Sequence, residues 1–213
     1  EMVIYFGKRF DSSNIPMLNA VNDASIARVN CFKLLGVYFS ADLNWKHHVD
    51  FMLNKVAKRI YYIYLLTRAG VDSKHIVEVY CSIIRSVLEY ASPVWHPGLT
   101  NAQSKSIECI QKRCLRVIFP DLNYKEALFV SGLLKLSERR EICARDLFSQ
   151  IKRPDHALNY LLTPKISGIN KDKLRSWYPF EIPRAKTSRL NKSFIVYCLN
   201  NRFYFFCSCV LFV

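Results

Sequence analysis

The stretch VDFMLNKVAKRIYYIYLLTR (Val49 to Arg68) decides the fold, because its apolar residues recur at every third or fourth position. This spacing predicts a long amphipathic α-helix. Ser40 or Asp42 is expected to cap its N-terminus, and Gly70 is expected to end it. The basic side of this helix carries Lys55, Lys58 and Arg59. The helix therefore offers an apolar stripe to a core and a basic stripe either to solvent alone or to phosphate groups.

The same spacing predicts further helices downstream. The second begins at Asp72 or Ser73, has mostly core positions and stops at Pro93. The third opens at Thr100, where Gln103 completes a capping box. We expect it to bury Ile107, Ile110, Cys114 and Ile118. The basic residues on or beside its outer side are Lys105, Lys112, Arg113 and Arg116.

Shorter elements complete the predicted fold. Tyr124 to Val130 should form a short helix, and Ser137 should cap a further one, with Leu136 as a hydrophobic staple. Upstream, β-branched and aromatic runs at Met2 to Phe6 and Phe32 to Phe39 predict strands. The predicted fold is mainly α, with a short N-terminal β-hairpin, then a helical bundle, then an irregular basic C-terminal tail.

Changes in composition divide the chain into four segments. These are a β segment at 1–45, a helical bundle at 46–162, a basic tail at 163–193 and an apolar segment at 194–213. The tail contains eight Lys or Arg residues and two Asp or Glu residues, and Trp177 and Tyr178 interrupt the basic run. Such a segment can neutralise phosphate and stack on unpaired bases, or it can be a flexible extension without a specific partner.

The apolar run at the end, Phe203 to Val213, is too short to cross a bilayer, which needs about 20 apolar residues. We expect a buried or aggregation-prone segment. The alternative is a membrane anchor that reaches back to Phe194, but it would place Asn200, Asn201 and Arg202 in mid-span at considerable cost.

The overall charge points to a polyanionic partner. The 31 Lys and Arg exceed the 17 Asp and Glu and give a net charge of +14, which favours nucleic acid first and an anionic membrane surface second. A basic protein without such a partner is the alternative. The eight Cys are scattered, without a Cys-x-x-Cys step, and we expect no metal site. A nuclear or cytoplasmic chain is expected rather than a secreted one.

Three blocks in a fixed order carry a family resemblance: FKLLGVYFSADLNW (Phe32 to Trp45), LEYASPVWHPGL (Leu88 to Leu99) and IQKRCLRVIFPDLNYKEAL (Ile110 to Leu128). Together they strongly resemble the region after the catalytic palm in reverse transcriptases of non-LTR (LINE-like, Jockey-type) retrotransposons. LSERR (Leu136 to Arg140) resembles the Leu-x-x-Arg-Arg segment of the same family. The resemblance covers about residues 1 to 200.

The resemblance implies a primer-grip-like hairpin and a thumb-like bundle that bind an RNA-DNA hybrid. The residues Leu35, Gly36 and Val37 match the primer-grip block, and Gly36 would let backbone or primer approach closely. Phosphate contacts would come from Lys55, Lys58, Arg59, Lys112, Arg113 and Arg116. The missing upstream palm and fingers would be a further partner, and the chain is expected to be a piece of a longer protein.

Catalysis is not expected of this chain. The family holds its Mg²⁺ ions with an adjacent Asp pair, and no Asp-Asp step occurs here, so we expect no catalytic residue and no cofactor. Other candidates are weak: Glu138 and Glu141 favour ion pairs with Arg139 and Arg140, and His47 and His48 beside Asp50 suggest little more.

Other readings remain open beside this one. They are a membrane-associated protein and a decayed retroelement copy without a retained role. The Val49 to Arg68 helix also resembles a small N-terminal domain of AlkB-like tRNA-modifying proteins. That resemblance would imply dioxygenase or methyltransferase activity. We set that resemblance aside because the chain lacks a Gly-rich methyl-donor loop.

Overall fold

The computed structural model describes residues 29–165 and 180–203, and within them the mainly α prediction is confirmed. A short antiparallel hairpin precedes a set of packed helices, also as expected. The predicted strand at Met2 to Phe6, the Trp177 and Tyr178 pair, and the chain from residue 204 onward lie outside the described residues.

The hairpin pairs β1 (Cys31–Leu34) with β2 (Val37–Ser40). Phe32 and Phe39 face each other, and their rings stack with centroids 5.5 Å apart. Between the strands, Leu35 has a φ of +45° and Gly36 a φ of +83°. Positive φ at both central residues is the requirement of the tight two-residue turn that matches the twist of paired strands. The run from Phe32 to Phe39 is therefore two strands and a turn.

The first helix, α1 (Lys46–Arg68), begins later than predicted. Ser40 does not cap it, because the Ser40 hydroxyl donates to Asp42 Oδ1 and to the Asn44 carbonyl, both at 2.7 Å, within the preceding turn. The Lys46 N–H instead donates to Asn44 Oδ1 at 3.0 Å. At the other end, Gly70 follows the helix with a φ of +71°, which confirms the predicted stop.

The second predicted helix is continuous but irregular, because α2 (Ser73–Val79) and α3 (Ser86–Glu89) are joined by a π-helical segment (Tyr80–Arg85). The prediction that Pro93 stops it was wrong. The helix ends at Glu89, Ala91 takes a left-handed φ of +50°, and Pro93 lies in the first turn of α4 (Ser92–Trp95). A proline is tolerated there because the first helical N–H groups have no intrahelical acceptor.

Three longer elements follow a 3₁₀ turn (His96–Gly98): α5 (Asn101–Ile118), α6 (Tyr124–Ser131) and α7 (Leu136–Ile151). The capping box of Thr100 and Gln103 is confirmed. The Ser137 cap was wrong, because α7 begins one residue earlier, at the fully buried Leu136. The Leu136 N–H donates to Glu108 Oε2 at 3.1 Å, so a side chain of α5 caps α7.

Two apolar clusters hold these elements together. The larger one lies between α1, the α2 to α3 helix, α5 and α6. After α7 come a 3₁₀ turn (Asn159–Leu161), α8 (Ser188–Asn191) and α9 (Phe194–Asn200). The smaller cluster lies between α7 and α9. Its buried members are Ala144, Phe148, Phe180, Cys198, Leu199 and Phe203. The first part of the apolar C-terminal segment is therefore buried.

None of the helices in the described ranges combines the length and the hydropathy that crossing a bilayer requires.

Candidate nucleic-acid interface

The basic stripe of α1 divides into two kinds of side chain. Lys55 and Lys58 are exposed, as predicted for phosphate contacts. Arg59 is half-buried, and its Nη1 donates to the Ile83 carbonyl in the π-helical segment at 2.5 Å. Arg59 therefore ties α1 to the neighbouring helix, and two of the three predicted cations are presented to solvent.

The basic residues of α5 are all on its surface. Lys112, Arg113 and Arg116 are exposed. The Lys112 Nζ lies 5.2 Å from the ring centroid of Tyr124, a cation-π contact that holds this lysine against the start of α6. Arg116 is one helical turn further along the same side.

The two stripes do not form a single cluster. α1 and α5 run side by side in the same direction, because their first turns, with Lys46 and Gln103, line one surface cleft. Arg59 lies on the flank of α1 away from this cleft, and Lys112 lies on the flank of α5 away from it. The stripes thus border the two outer edges of the helix pair, with Lys58 nearer the middle.

We call the solvent-facing surface between these edges the α1–α5 outer face. Arg113 is seven residues after Ser106, a residue of the cleft, so it lies on the side of α5 nearer to α1. Since Leu53 and Ser106 line the same cleft, Arg113 stands at roughly the level of Tyr61 along the pair. The α1–α5 outer face therefore has cations at both edges and toward its middle.

Exposed aromatic side chains on this face were missed from the sequence. Tyr61 and Tyr62 are 61% and 54% exposed, with ring centroids 6.4 Å apart. At the hairpin end, the Lys33 Nζ lies 5.1 Å from the ring centroid of Phe51. The signal was present in the sequence, because both tyrosines fall outside the apolar spacing of α1 and one turn after Lys58.

The three primer-grip-like residues occupy different environments. Leu35 is 83% exposed at the hairpin tip, and Val37 is buried in the core. A Cβ on Gly36 would lie 3.1 Å from Tyr90 Cε1, and the Tyr90 hydroxyl donates to the Leu35 carbonyl at 2.9 Å. The close approach expected at Gly36 is therefore made by an aromatic ring of the second sequence block.

The second block also contacts the first through Gly98, and its tryptophan bonds within the second block. Trp95 is fully buried, and its Nε1 donates to the Tyr90 carbonyl at 2.9 Å. A Cβ on Gly98 would lie 2.0 Å from Trp45 Nε1, so the indole of Trp45 occupies the space that any side chain at 98 would need. These contacts fix the hairpin to the helices.

The arginines of the LSERR block pair across helices. Arg139 binds both carboxylate oxygens of Glu89, through Nε to Oε1 and through Nη2 to Oε2 at 3.0 Å. Glu138 pairs with Lys135 at 3.6 Å. Glu138 and Glu141 were expected to pair with their helical neighbours Arg139 and Arg140. This was wrong for Arg139, because its partner is Glu89 of α3.

Arg140 is buried in the core below the second block. Its Nη2 donates to Ser104 Oγ at 2.9 Å, and its guanidinium lies 5.9 Å from the ring centroid of Trp95. A buried guanidinium of this kind needs its hydrogen-bond partners within the fold. It serves packing between α4, α5 and α7 rather than a surface ligand.

The histidine candidates belong to no group of metal-ligating side chains within the part of the chain that the structure describes. His48-Val49-Asp50 has the His-x-Asp spacing of an iron motif, but His48 is buried and its Nδ1 accepts from the Tyr38 N–H at 3.4 Å. Burial lowers the pKa of His48 to about 4, so the ring is neutral. Within residues 29–165 and 180–203, no three His, Cys, Asp or Glu side chains are grouped as a metal site requires.

Comparisons with known proteins add no relative. No protein-family model matches this chain. No curated protein and no solved structure matches it either. The function is therefore argued from the residues and contacts of the chain itself.

Proposed function

We propose that this chain is the nucleic-acid-gripping part of a non-LTR retrotransposon reverse transcriptase, with a late-palm hairpin and thumb-like helices that hold an RNA-DNA hybrid. The observation that carries this proposal is the charge of α1. From Phe51 to Arg68 the helix has four basic residues and no Asp or Glu. A surface of one sign on a folded scaffold attracts a polyanion.

The geometry supports binding through the nucleic-acid backbone. Lys55 lies at one edge of the α1–α5 outer face with Lys58 nearer its middle, and Lys112 and Arg116 lie along the other edge. Packed helices are about 8–10 Å apart, so cations at the two edges can reach phosphates of both strands of one duplex. Such contacts position a duplex without reading its sequence.

The active centre in this proposal belongs to the upstream palm and fingers of the parent polymerase. That centre would hold the Mg²⁺ ions, and this chain would contribute no ligand to them. The ordered blocks support the parentage, because Gly36 meets Tyr90 of the second block, and Glu89 of that block pairs with Arg139 of LSERR. We propose a nuclear or cytoplasmic location for such a protein.

The test is the affinity of the chain for a fluorescent RNA-DNA hybrid, measured by anisotropy at increasing salt. We expect the logarithm of the binding constant to fall linearly with the logarithm of the salt concentration. The double variant K55Q/K58Q should reduce that slope by about 2, since each lysine neutralises about one phosphate. The control K74Q/K135Q removes the same charge from exposed lysines that lie on neither α1 nor α5 and outside the basic tail.

Two outcomes contradict the proposal. One is a wild-type chain that binds the hybrid no more tightly than an unrelated protein of equal net charge. The other is a control variant that loses as much affinity and salt slope as K55Q/K58Q, because the binding would then follow total charge and not the outer face.

A further inference from the structure

The two exposed tyrosines of α1 are unusual for a surface that only neutralises phosphate. Tyr61 and Tyr62 each leave more than half of their area in solvent, and Leu65 beside them is 41% exposed. Contiguous exposed apolar surface is a sign of a binding site. The rings lie on the solvent side of the helix, because the buried residues next to them are Ile60 and Ile63.

Basic side chains accompany these rings on the same stripe. Lys58 precedes Tyr62 by four residues and Lys55 precedes it by seven, so the three share one side of α1. The stripe continues to Phe51, over which Lys33 of the hairpin is placed. Cations and aromatic rings therefore alternate from the hairpin to the last turns of α1.

This alternation fits unpaired nucleotides better than a duplex. In a duplex the faces of the bases are covered by their neighbours, whereas the bases of a single strand can stack on protein aromatic rings. Resting on the proposed function, we infer that Tyr61 and Tyr62 form a stacking platform for a single-stranded segment next to the bound hybrid. Lys58, one turn before Tyr62, contacts the phosphate at the junction between the hybrid and this segment.

The experiment compares three fluorescent probes of equal label: a single-stranded RNA, a blunt RNA-DNA hybrid, and the same hybrid with a single-stranded RNA overhang. Y61A/Y62A should weaken binding of the single strand and of the overhang probe by at least about fivefold, the loss expected for one stacked base. Its affinity for the blunt hybrid should stay within about twofold of wild type.

Matched variants separate stacking from other effects. Y61F/Y62F keeps the ring faces and should retain the affinity for the overhang probe. Y160A removes a tyrosine that is 78% exposed, in the 3₁₀ turn far along the chain from α1, and should change nothing. In Y62W, addition of the single strand should quench the tryptophan fluorescence, which reports the contact directly.

The outcomes distinguish this inference from the proposed function. If K55Q/K58Q weakens blunt-hybrid binding but Y61A/Y62A leaves the overhang probe unaffected, the stacking platform is refuted and the proposed function stands. An equal loss on blunt and overhang probes also refutes stacking, because the rings would then contact the hybrid itself. A Y61F/Y62F variant that binds as poorly as Y61A/Y62A refutes it too, because the hydroxyls would then make the contact. If wild type binds none of the probes better than a control protein of equal charge, both are refuted.

Discussion

A buried hydrogen-bond network centred on Gln111 gives a quantitative test of how the helices are held together. Gln111 is fully buried, and its Oε1 accepts from the Tyr80 hydroxyl at 2.6 Å. Its Nε2 donates to the Tyr124 hydroxyl at 3.1 Å and to the Leu134 carbonyl at 3.0 Å. Burial raises the pKa of Tyr80, so its hydroxyl keeps its proton. The network joins the π-helical segment, α5 and α6.

The cost of breaking this network follows from the groups that lose a partner. Q111L leaves the fully buried Tyr80 hydroxyl without its acceptor, whereas the Leu134 carbonyl belongs to a residue that is 45% exposed and can bond water. We therefore expect a loss of about 1–3 kcal/mol in the free energy of unfolding, the cost of one unsatisfied buried group. Y80F leaves only Gln111 Oε1 without its donor and should cost about 1–2 kcal/mol. In Y80F/Q111L both partners are gone, so the double variant should be about 1–3 kcal/mol more stable than the sum of the single losses predicts.

Urea unfolding followed by circular dichroism measures the three variants and wild type in one double-mutant cycle. Y90F serves as the control, because its hydroxyl bonds Leu35 at the hairpin and shares no partner with Gln111. Its cost should add to that of Q111L within about 0.3–0.5 kcal/mol. Additivity to the same degree between Y80F and Q111L would refute the reasoning, since the two groups could not then be paired in the core.

Three further predictions address a charge, a close contact and a thiol. Burial lowers the pKa of His48 to about 4 in the folded protein, whereas a histidine of the unfolded chain binds a proton below about pH 6.5. Because the unfolded state then binds more protons, the His48 contribution should lower the free energy of unfolding by about 2 kcal/mol between pH 7 and pH 5. Urea unfolding of H48Q should lack that decrement, and an identical pH dependence would contradict it. G98A should cost about 1–3 kcal/mol or more by forcing Trp45 from its place; an unchanged thermal midpoint would show that the indole packs elsewhere. A thiol reagent should modify the exposed Cys109 well before Cys114, because burial raises the pKa of Cys114 to about 12. Peptide mapping by mass spectrometry measures the two modification rates, and equal rates would contradict this prediction.

Helix positions could be predicted from the sequence where the deciding interactions are local. The apolar spacing of α1 and the Thr100 capping box involve residues within a few positions of each other, and both predictions are confirmed. The start of α7 could not be predicted in this way. The cap of α7 is Glu108, which is 28 residues away from Leu136 in the chain. A pattern within a few residues of the helix start cannot predict a capping partner so distant in the sequence.

The candidate site shows the same division. The sequence identified cations on the outer sides of their helices, but not which of them a neighbouring element would engage. Arg59 is held by the Ile83 carbonyl, 24 residues away, while Lys58 next to it stays exposed. The tyrosines were missed because spacing marks which residues face a core and says nothing of what a solvent-facing ring does.

The residues that carry the family resemblance and those proposed to bind nucleic acid are, for the most part, different residues. Gly36 and Trp95 contact residues of other blocks, and Gln111 bonds the buried Tyr80 of the π-helical segment. Substitutions at these positions should therefore lower the stability first and the affinity only as the folded fraction falls. Lys58 and Tyr62 are exposed, so their substitution should lower the affinity and leave the unfolding free energy within about 0.5 kcal/mol of wild type. A resemblance carried by buried contacts reports on the scaffold, and the exposed face of α1 has to be tested for the ligand.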